Sequence, residues 1–328
     1  MSVERITVVV PTYNNAPYLK RSLDSLLAQT YPALEIIVVN DGSTDDTRSV
    51  LADYVAKHPS VKVIHKENGG VTSARLRGVA EAAGEWIGFM DGDDVIEPQM
   101  YARLMENAYA CGADISHCGH QIWFSDGRIE SVHGNGVLRI QGHKEGLTDL
   151  LENEVDGSLC IKLFHKALFD GLSEWMDPSI RNNEDFLMNY YLFDKARKSV
   201  FEGICPYHYM LRNGSASCNG ITENSIFDPI RVRRILLETC TLEMRDAVRQ
   251  ALLRNLLFAY AQLTVAPDRK KLGDFCQRVR SQLCTEREHF HLLSLRNRIL
   301  AEMICKAPWS FHIAYRVFVA LFQREEQH

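Results

Sequence analysis

Three carboxylates fall within four residues at Asp91-Gly92-Asp93-Asp94, directly after the apolar run Trp86-Ile87-Gly88-Phe89-Met90. Acidic side chains this crowded repel one another unless a cation or several hydrogen-bond donors neutralise them. Oxygen-only ligands at the end of a buried strand suit a hard divalent ion, Mg²⁺ or Mn²⁺, carrying phosphate oxygens. Asp-Gly is also a common turn pair, so a solvated turn is the alternative. A second acidic cluster, Glu184-Asp185, precedes the apolar stretch Phe186-Leu187-Met188. Carboxylates there serve either as a general base or as caps of a helix start, where the helix dipole favours them.

These groups need a frame to hold them. Ile6 to Val10 is a continuous β-branched run, as expected of a strand buried on both faces, and it stops at Pro11-Thr12-Tyr13-Asn14-Asn15. Pro17 opens a helix with Leu19, Leu23, Leu26 and Leu27 on one face. A second strand, Leu34 to Val39, ends at Asn40-Asp41-Gly42-Ser43-Thr44-Asp45-Asp46 and leads into a helix over about 46–57. Val61 to Ile64 is a third strand, followed by Asn68-Gly69-Gly70 and a helix over about 71–83. The strand before the Asp cluster is the fourth. Alternation with short connections predicts a mainly parallel sheet covered by helices, with ligands beyond the strand C-termini. No GxGxxG follows the first strand and no GxxxxGK[ST] phosphate loop exists, so a metal held by the Asp cluster is the natural way to manage a diphosphate.

Composition bounds the rest. The chain has 328 residues, is 46% hydrophobic and carries a net charge of −5, which gives no basis for nucleic-acid binding. Charge is uneven: residues 225–328 hold 17 Lys+Arg against 11 Asp+Glu, and residues 1–224 hold 20 against 31. Nine cysteines without CxxC spacing, and no signal peptide, predict reduced thiols in a cytoplasmic protein and no zinc site. His117, His120, His133 and His143 lack ligand spacing. No stretch of about 18 uncharged apolar residues predicts a membrane span.

The four loops, in order and spacing, resemble the inverting glycosyltransferase family 2, which has the GT-A fold. The matching segments are Val9-Val10-Pro11-Thr12-Tyr13-Asn14, Ile37 to Asp45, Asn68-Gly69-Gly70 with Ala74-Arg75, and Gly84 to Asp94. Short islands continue at Ile161-Lys162-Leu163-Phe164, Asn183-Glu184-Asp185-Phe186, and Tyr209-Met210-Leu211-Arg212 with Ser215. The resemblance implies that Pro11, Thr12 and Tyr13 line a nucleobase pocket and that Asp41 accepts a hydrogen bond from the base, which favours uracil. Asp41 as a plain turn or cap residue is the alternative. It further implies Arg75 and Asp91 as nucleotide contacts, Asp91 and Asp93 as metal ligands, and Asp185 as the general base. Arg212 would contact the diphosphate or sit as a surface arginine. Three positions depart from the common pattern: Leu76 where many relatives carry Asn, Asn40 for a frequent Asp, and Asn183 where Gly is common.

The expected architecture is an α/β GT-A catalytic domain over 1–224, with 1–110 as the nucleotide-sugar half and 111–224 as the acceptor half. A helical region over 225–328 follows, with amphipathic stripes broken at Pro267 and an aromatic tail, Pro308 to Phe322, fit to lie on a membrane surface or dock on protein. The expected activity is transfer of a sugar from a UDP donor to the hydroxyl of a saccharide or lipid-linked saccharide, with Mg²⁺ or Mn²⁺. The setting would be surface polysaccharide synthesis at the inner face of a membrane. A metal-dependent nucleotidyltransferase and a non-catalytic nucleotide-sugar-binding module are the alternatives.

Overall fold

The computed structural model describes residues 3–211, 220–266 and 272–322, the last six by backbone alone. Arg212, Ser215 and Pro267 lie outside the described residues. The chain divides into two compact units, Met1–Asn219 and Gly220–His328.

The first unit is built on a ten-stranded sheet. β1 (Ile6–Thr12) is buried at every position, as its unbroken β-branched run requires. α1 (Ala16–Leu27) has Pro17 in its first turn and buries Leu19, Leu23 and Leu26. β2 (Leu34–Asp41), α2 (Thr47–Lys57), β3 (Val61–Lys66), α3 (Val71–Glu81) and β4 (Trp86–Phe89) continue the alternation. β1 pairs in parallel with β2 and β4, and β2 with β3. α3 lies close on β1 because position 78 is glycine: a Cβ there would stand 2.3 Å from Val9 Cγ1.

The sequel is more antiparallel. It comprises β5 (Val95–Ile96), α4 (Met100–Cys111), β6 (Ile115–Trp123), β7 (Ile129–Val132), β8 (Leu138–Gly142), α5 (His143–Glu152), β9 (Lys162–His165), α6 (Glu184–Lys195) and β10 (Lys198–Met210). The strand order is β3-β2-β1-β4-β9-β6-β10-β5, with β7 on β6 and β8 on β10. β9 sits antiparallel between β4 and β6, and so joins the two halves of the sheet. β6 runs unbroken through Gly119: Ile115–Cys118 and His120–Trp123 both pair with β10 across a register shift, and His120–Trp123 also pairs with β7.

The second unit is helical: α7 (Glu223–Thr239), α8 (Arg245–Val265), α9 (Gly273–Thr285), α10 (Leu295–Lys306) and α11 (Pro308–Phe322). α8 carries the core, with Leu252, Leu253, Leu256, Tyr260 and Leu263 packed among Ile226, Ile230, Val279 and Phe311. Two cysteines expected as thiols are joined, Cys284 of α9 to Cys305 of α10, with Cα atoms 5.6 Å apart. Helix packing brings them together, and their separation of 21 residues follows no spacing rule. Among the described residues no helix is long and apolar enough to cross a membrane.

Candidate active site

The loops after β1, β2 and β4 meet at one sheet edge and are tied to one another. Asn14 takes a left-handed φ of 52°. Its side-chain carbonyl accepts from Thr44 N at 2.8 Å, and its own N–H donates to Ser43 Oγ at 3.0 Å. Asn15 N donates to Thr47 Oγ1, and Ala16 N to Asp45 Oδ2. The Asp91–Asp94 turn is held from two sides. Ser22 of α1 donates to the Asp94 carbonyl, and Arg21 to that of Asp93. From β10, Tyr207 Oη donates to Asp94 Oδ2 at 2.5 Å and Met210 N to Asp94 Oδ1 at 2.9 Å. Asp94 is therefore a buried anchor bonded to backbone and Tyr207. Burial, then the charges of Asp91 and Asp93, push its carboxyl up to about 8.

Asp41 ends β2 opposite Lys66 of β3 in the parallel register. Lys66 Nζ and Gly69 N donate to Asp41 Oδ1, and Gly70 N donates to Oδ2 at 2.8 Å. Three of roughly four acceptor positions of this carboxylate are thus filled by its own chain. In this arrangement Asp41 latches the Asn68–Gly70 loop. Gly70 has a φ of +86°, and a Cβ there would stand 2.5 Å from Arg181 Nη1. The guanidinium of Arg181, just ahead of α6, therefore lies over this loop.

Arg75 is the central tie. It is 5% exposed in the middle of α3. Its Nη2 reaches Asp91 Oδ1 and its Nη1 reaches Glu184 Oε1, both at 3.3 Å. One side chain therefore bridges the Asp cluster and the acidic pair that opens α6. Its Nε is buried without a partner among the described residues. The neighbouring carboxylates of Asp91, Glu184 and Asp185 hold the guanidinium firmly protonated against the cost of its burial.

Asp185 lies in the first turn of α6, where its Oδ1 accepts from Phe186 N at 2.8 Å. Its Oδ2 accepts no bond from the described residues. Burial raises the Asp185 carboxyl and outweighs the opposing effect of Arg75. Glu184 is raised to about 7, by burial first and by Asp185 second. The pair titrates as a unit, because two adjacent carboxyls in a poorly hydrated site cannot both ionise freely.

The structure thus brings Asp91, Asp93, Arg75 and Asp185 to one site. Thr12 joins them: its buried Oγ1 has no partner among the described residues, and a Cβ on Gly92 would stand 3.1 Å from it. Pro11 is buried within β1, while Tyr13 is 48% exposed. Sequence reasoning missed Glu184 as a partner of Arg75, Tyr207 as the holder of Asp94, and Lys66 and Arg181 beside the glycine pair. Only Lys66 carried a signal, since the strand register sets it opposite Asp41.

The side chains able to hold a divalent ion are Asp91, 37% exposed at its side chain, and half-buried Asp93. Among the described residues no three His, Cys, Asp or Glu side chains form a ready-made cage. Two carboxylates, with the remaining ligands supplied by phosphate oxygens and water, match the preference of Mg²⁺ and Mn²⁺ for partial protein ligation. The charges of Asp91 and Asp93, which add to burial in raising Asp94, are what such an ion would relieve.

The model of glycosyl transferase family 2 matches residues 7–172. A glycosyltransferase of Bacillus subtilis, EpsJ, is 35% identical over 207 residues, which are 62% of this chain and 60% of that protein. The hyaluronan synthase of Pasteurella multocida is 42% identical over 193 residues, 52% of this chain and 20% of that much longer protein. In fold the chain is similar to residues 1–349 of Staphylococcus aureus TarS, solved with UDP-GlcNAc, at a TM-score of 0.64 and 19% identity, covering 98% of this chain and 92% of that one. A similarity at that identity speaks for the fold alone.

Proposed function

This chain belongs to glycosyl transferase family 2, and on that premise we propose that it moves a sugar from a UDP donor to an acceptor hydroxyl with inversion. The observation that carries the reading is Arg75, which touches Asp91 and Glu184 at once and so fixes the metal-type carboxylates beside the acidic pair of α6. The UDP and UDP-GlcNAc complexes of TarS support a UDP-sugar, and the hyaluronan synthase relative supports a saccharide product.

In this reading the uridine lies between the exposed ring of Tyr13 and the Asp41 latch, whose remaining Oδ2 acceptor position faces the base. Thr12 Oγ1 and Arg75 Nε, both buried and unpartnered, supply polar contacts to the nucleotide. Asp91 and Asp93 would hold Mg²⁺ or Mn²⁺, whose charge would stabilise the diphosphate as it leaves. Asp185 Oδ2 takes the proton of the acceptor hydroxyl, that oxygen bonds to the anomeric carbon, and the bond from that carbon to the diphosphate breaks. A raised carboxyl is a stronger base than an ordinary aspartate, which suits this task. Arg75 and the backbone N–H at Phe186 oppose that rise by favouring the anionic form of Asp185.

The acceptor we propose is a saccharide, free or lipid-linked, in surface polysaccharide synthesis at the inner face of a membrane. Exposed Leu295, Ile299, Trp309 and Ile313, together with Arg298 and Lys306, support contact of the helical unit with anionic lipid. Cosedimentation with anionic but not neutral vesicles tests that contact. Incubation with a panel of UDP-sugars and Mn²⁺ tests the activity. Metal-dependent UDP release is expected, and release of pyrophosphate instead would point to nucleotidyl transfer.

A further inference from the structure

Behind the acidic pair lies a lysine that the reading above does not use. Lys162 opens β9 and is 0% exposed. Fully buried lysines are rare unless paired with a carboxylate. This one instead donates to two backbone carbonyls, those of Asp156, at 2.6 Å, and Ser158. Between them, the carbonyl of Gly157 accepts from Asn189 Nδ2 at 2.6 Å. The same nitrogen donates to the Asp185 carbonyl at 3.1 Å. Asn189 is also 0% exposed, one helical turn beyond Asp185 on α6. A buried cation, a three-residue loop and one amide thus run without a break to the backbone of Asp185.

We propose that Lys162 and Asn189 are positioning residues for sugar transfer: Lys162 pins the 156–158 loop, and through Asn189 that loop fixes the turn carrying Asp185. The inference rests on the reading of Asp185 as the base. A misplacement of about 1 Å at a reacting group costs on the order of a hundredfold in rate, so a base on the first turn of a helix needs such a brace. Lys162 adds a charge effect. The groups facing it are Asp156 from its own loop, Asp185 from α6, Cys118 and the histidines 117 and 120 from β6, and Cys160 just before β9. Those facing Asp185 are Arg75, Asp91, Asp156 and Glu184. Burial lowers Lys162 to about 8, so it keeps most of its proton at neutral pH and favours the anionic form of Asp185.

The test compares Lys162→Gln and Asn189→Leu with the wild type in Mn²⁺-supported UDP release, together with UDP affinity by calorimetry. For Lys162→Gln, kcat should fall about a hundredfold, UDP affinity should stay within about twofold, and the acid limb of the kcat/KM profile should move up by about half to one pH unit as Asp185 loses a neighbouring cation. For Asn189→Leu, kcat should fall about tenfold or more with the acid limb unmoved, because no charge changes. If Lys162→Gln does not fold, Asn189→Leu decides. Folded variants with wild-type kcat overturn the proposal, as does a Lys162→Gln loss that is equal at every pH. A wild type that turns over no UDP-sugar defeats the underlying reading, an outcome distinct from an active wild type matched by both variants.

Discussion

Replacing Arg75 with methionine should destabilise the first unit in a strongly pH-dependent way. The guanidinium lies 3.3 Å from both Asp91 and Glu184. At an effective dielectric near 20, each contact is worth about 5 kcal/mol of bare attraction, part of which offsets the cost of burying the cation. The Glu184 side chain is 13% exposed and its carboxyl already stands at about 7 against an ordinary 4.5. A carboxyl whose folded value exceeds its unfolded one binds its proton on folding. Its contribution is therefore complete below the unfolded value and is lost as pH rises to the folded value. In the wild type that window closes near 7. Without Arg75 the folded value climbs by roughly two further units, so the variant goes on losing stability up to about pH 9. The extra loss between pH 6 and 9 comes to about 2–3 kcal/mol. For a unit of this size that is a widening of the gap in melting temperature by about 4–12 °C. Thermal melts of both proteins at pH 6 and pH 9, without divalent ions, read it directly. Equal gaps at the two pH values would refute the role given to Arg75.

Other perturbations separate the parts of the site. Tyr207→Phe leaves buried Asp94 one donor short and should cost about 1–3 kcal/mol, together with weaker metal-dependent UDP binding, as read by melts and calorimetry. Gly70→Ala forces a side chain into a φ of +86° against Arg181. It should lower the melting temperature by about 2–8 °C and weaken UDP affinity. Cys284→Ser opens a link across 21 residues and should cost the helical unit about 3 kcal/mol with UDP affinity unchanged. A matching loss on reduction of the wild type would check it.

Much of the first half was legible in the sequence, because its signals are local. The continuous runs of β1, β2 and β4 mark doubly buried strands, and their abrupt polar ends mark the ligand edge. What escaped depends on contacts distant in sequence. Arg75 meets Glu184 across 109 residues, and nothing in the local pattern of α3 says that an arginine points inward. β9 inserts antiparallel between β4 and β6, so the expectation of a mainly parallel sheet describes the first half best. Asp41 is expected to accept from a base, yet the fold also supplies it with Lys66 and two backbone N–H groups. Nothing in the run 159–164 says that Lys162 is buried with its ammonium on backbone carbonyls; that follows from β9 lying beside β6 and from the 156–158 loop.

The central claim is that Asp91 and Asp93 would hold a divalent ion that stabilises the leaving diphosphate, while Asp185 takes the proton of the incoming alcohol. The Asp185→Asn protein tests it most directly, through UDP release at saturating UDP-sugar and Mn²⁺ set beside its UDP affinity. The account predicts affinity within about twofold of the wild type and turnover reduced by about 10²–10⁴-fold. Near-normal turnover would contradict it, and so would UDP binding that disappears together with activity.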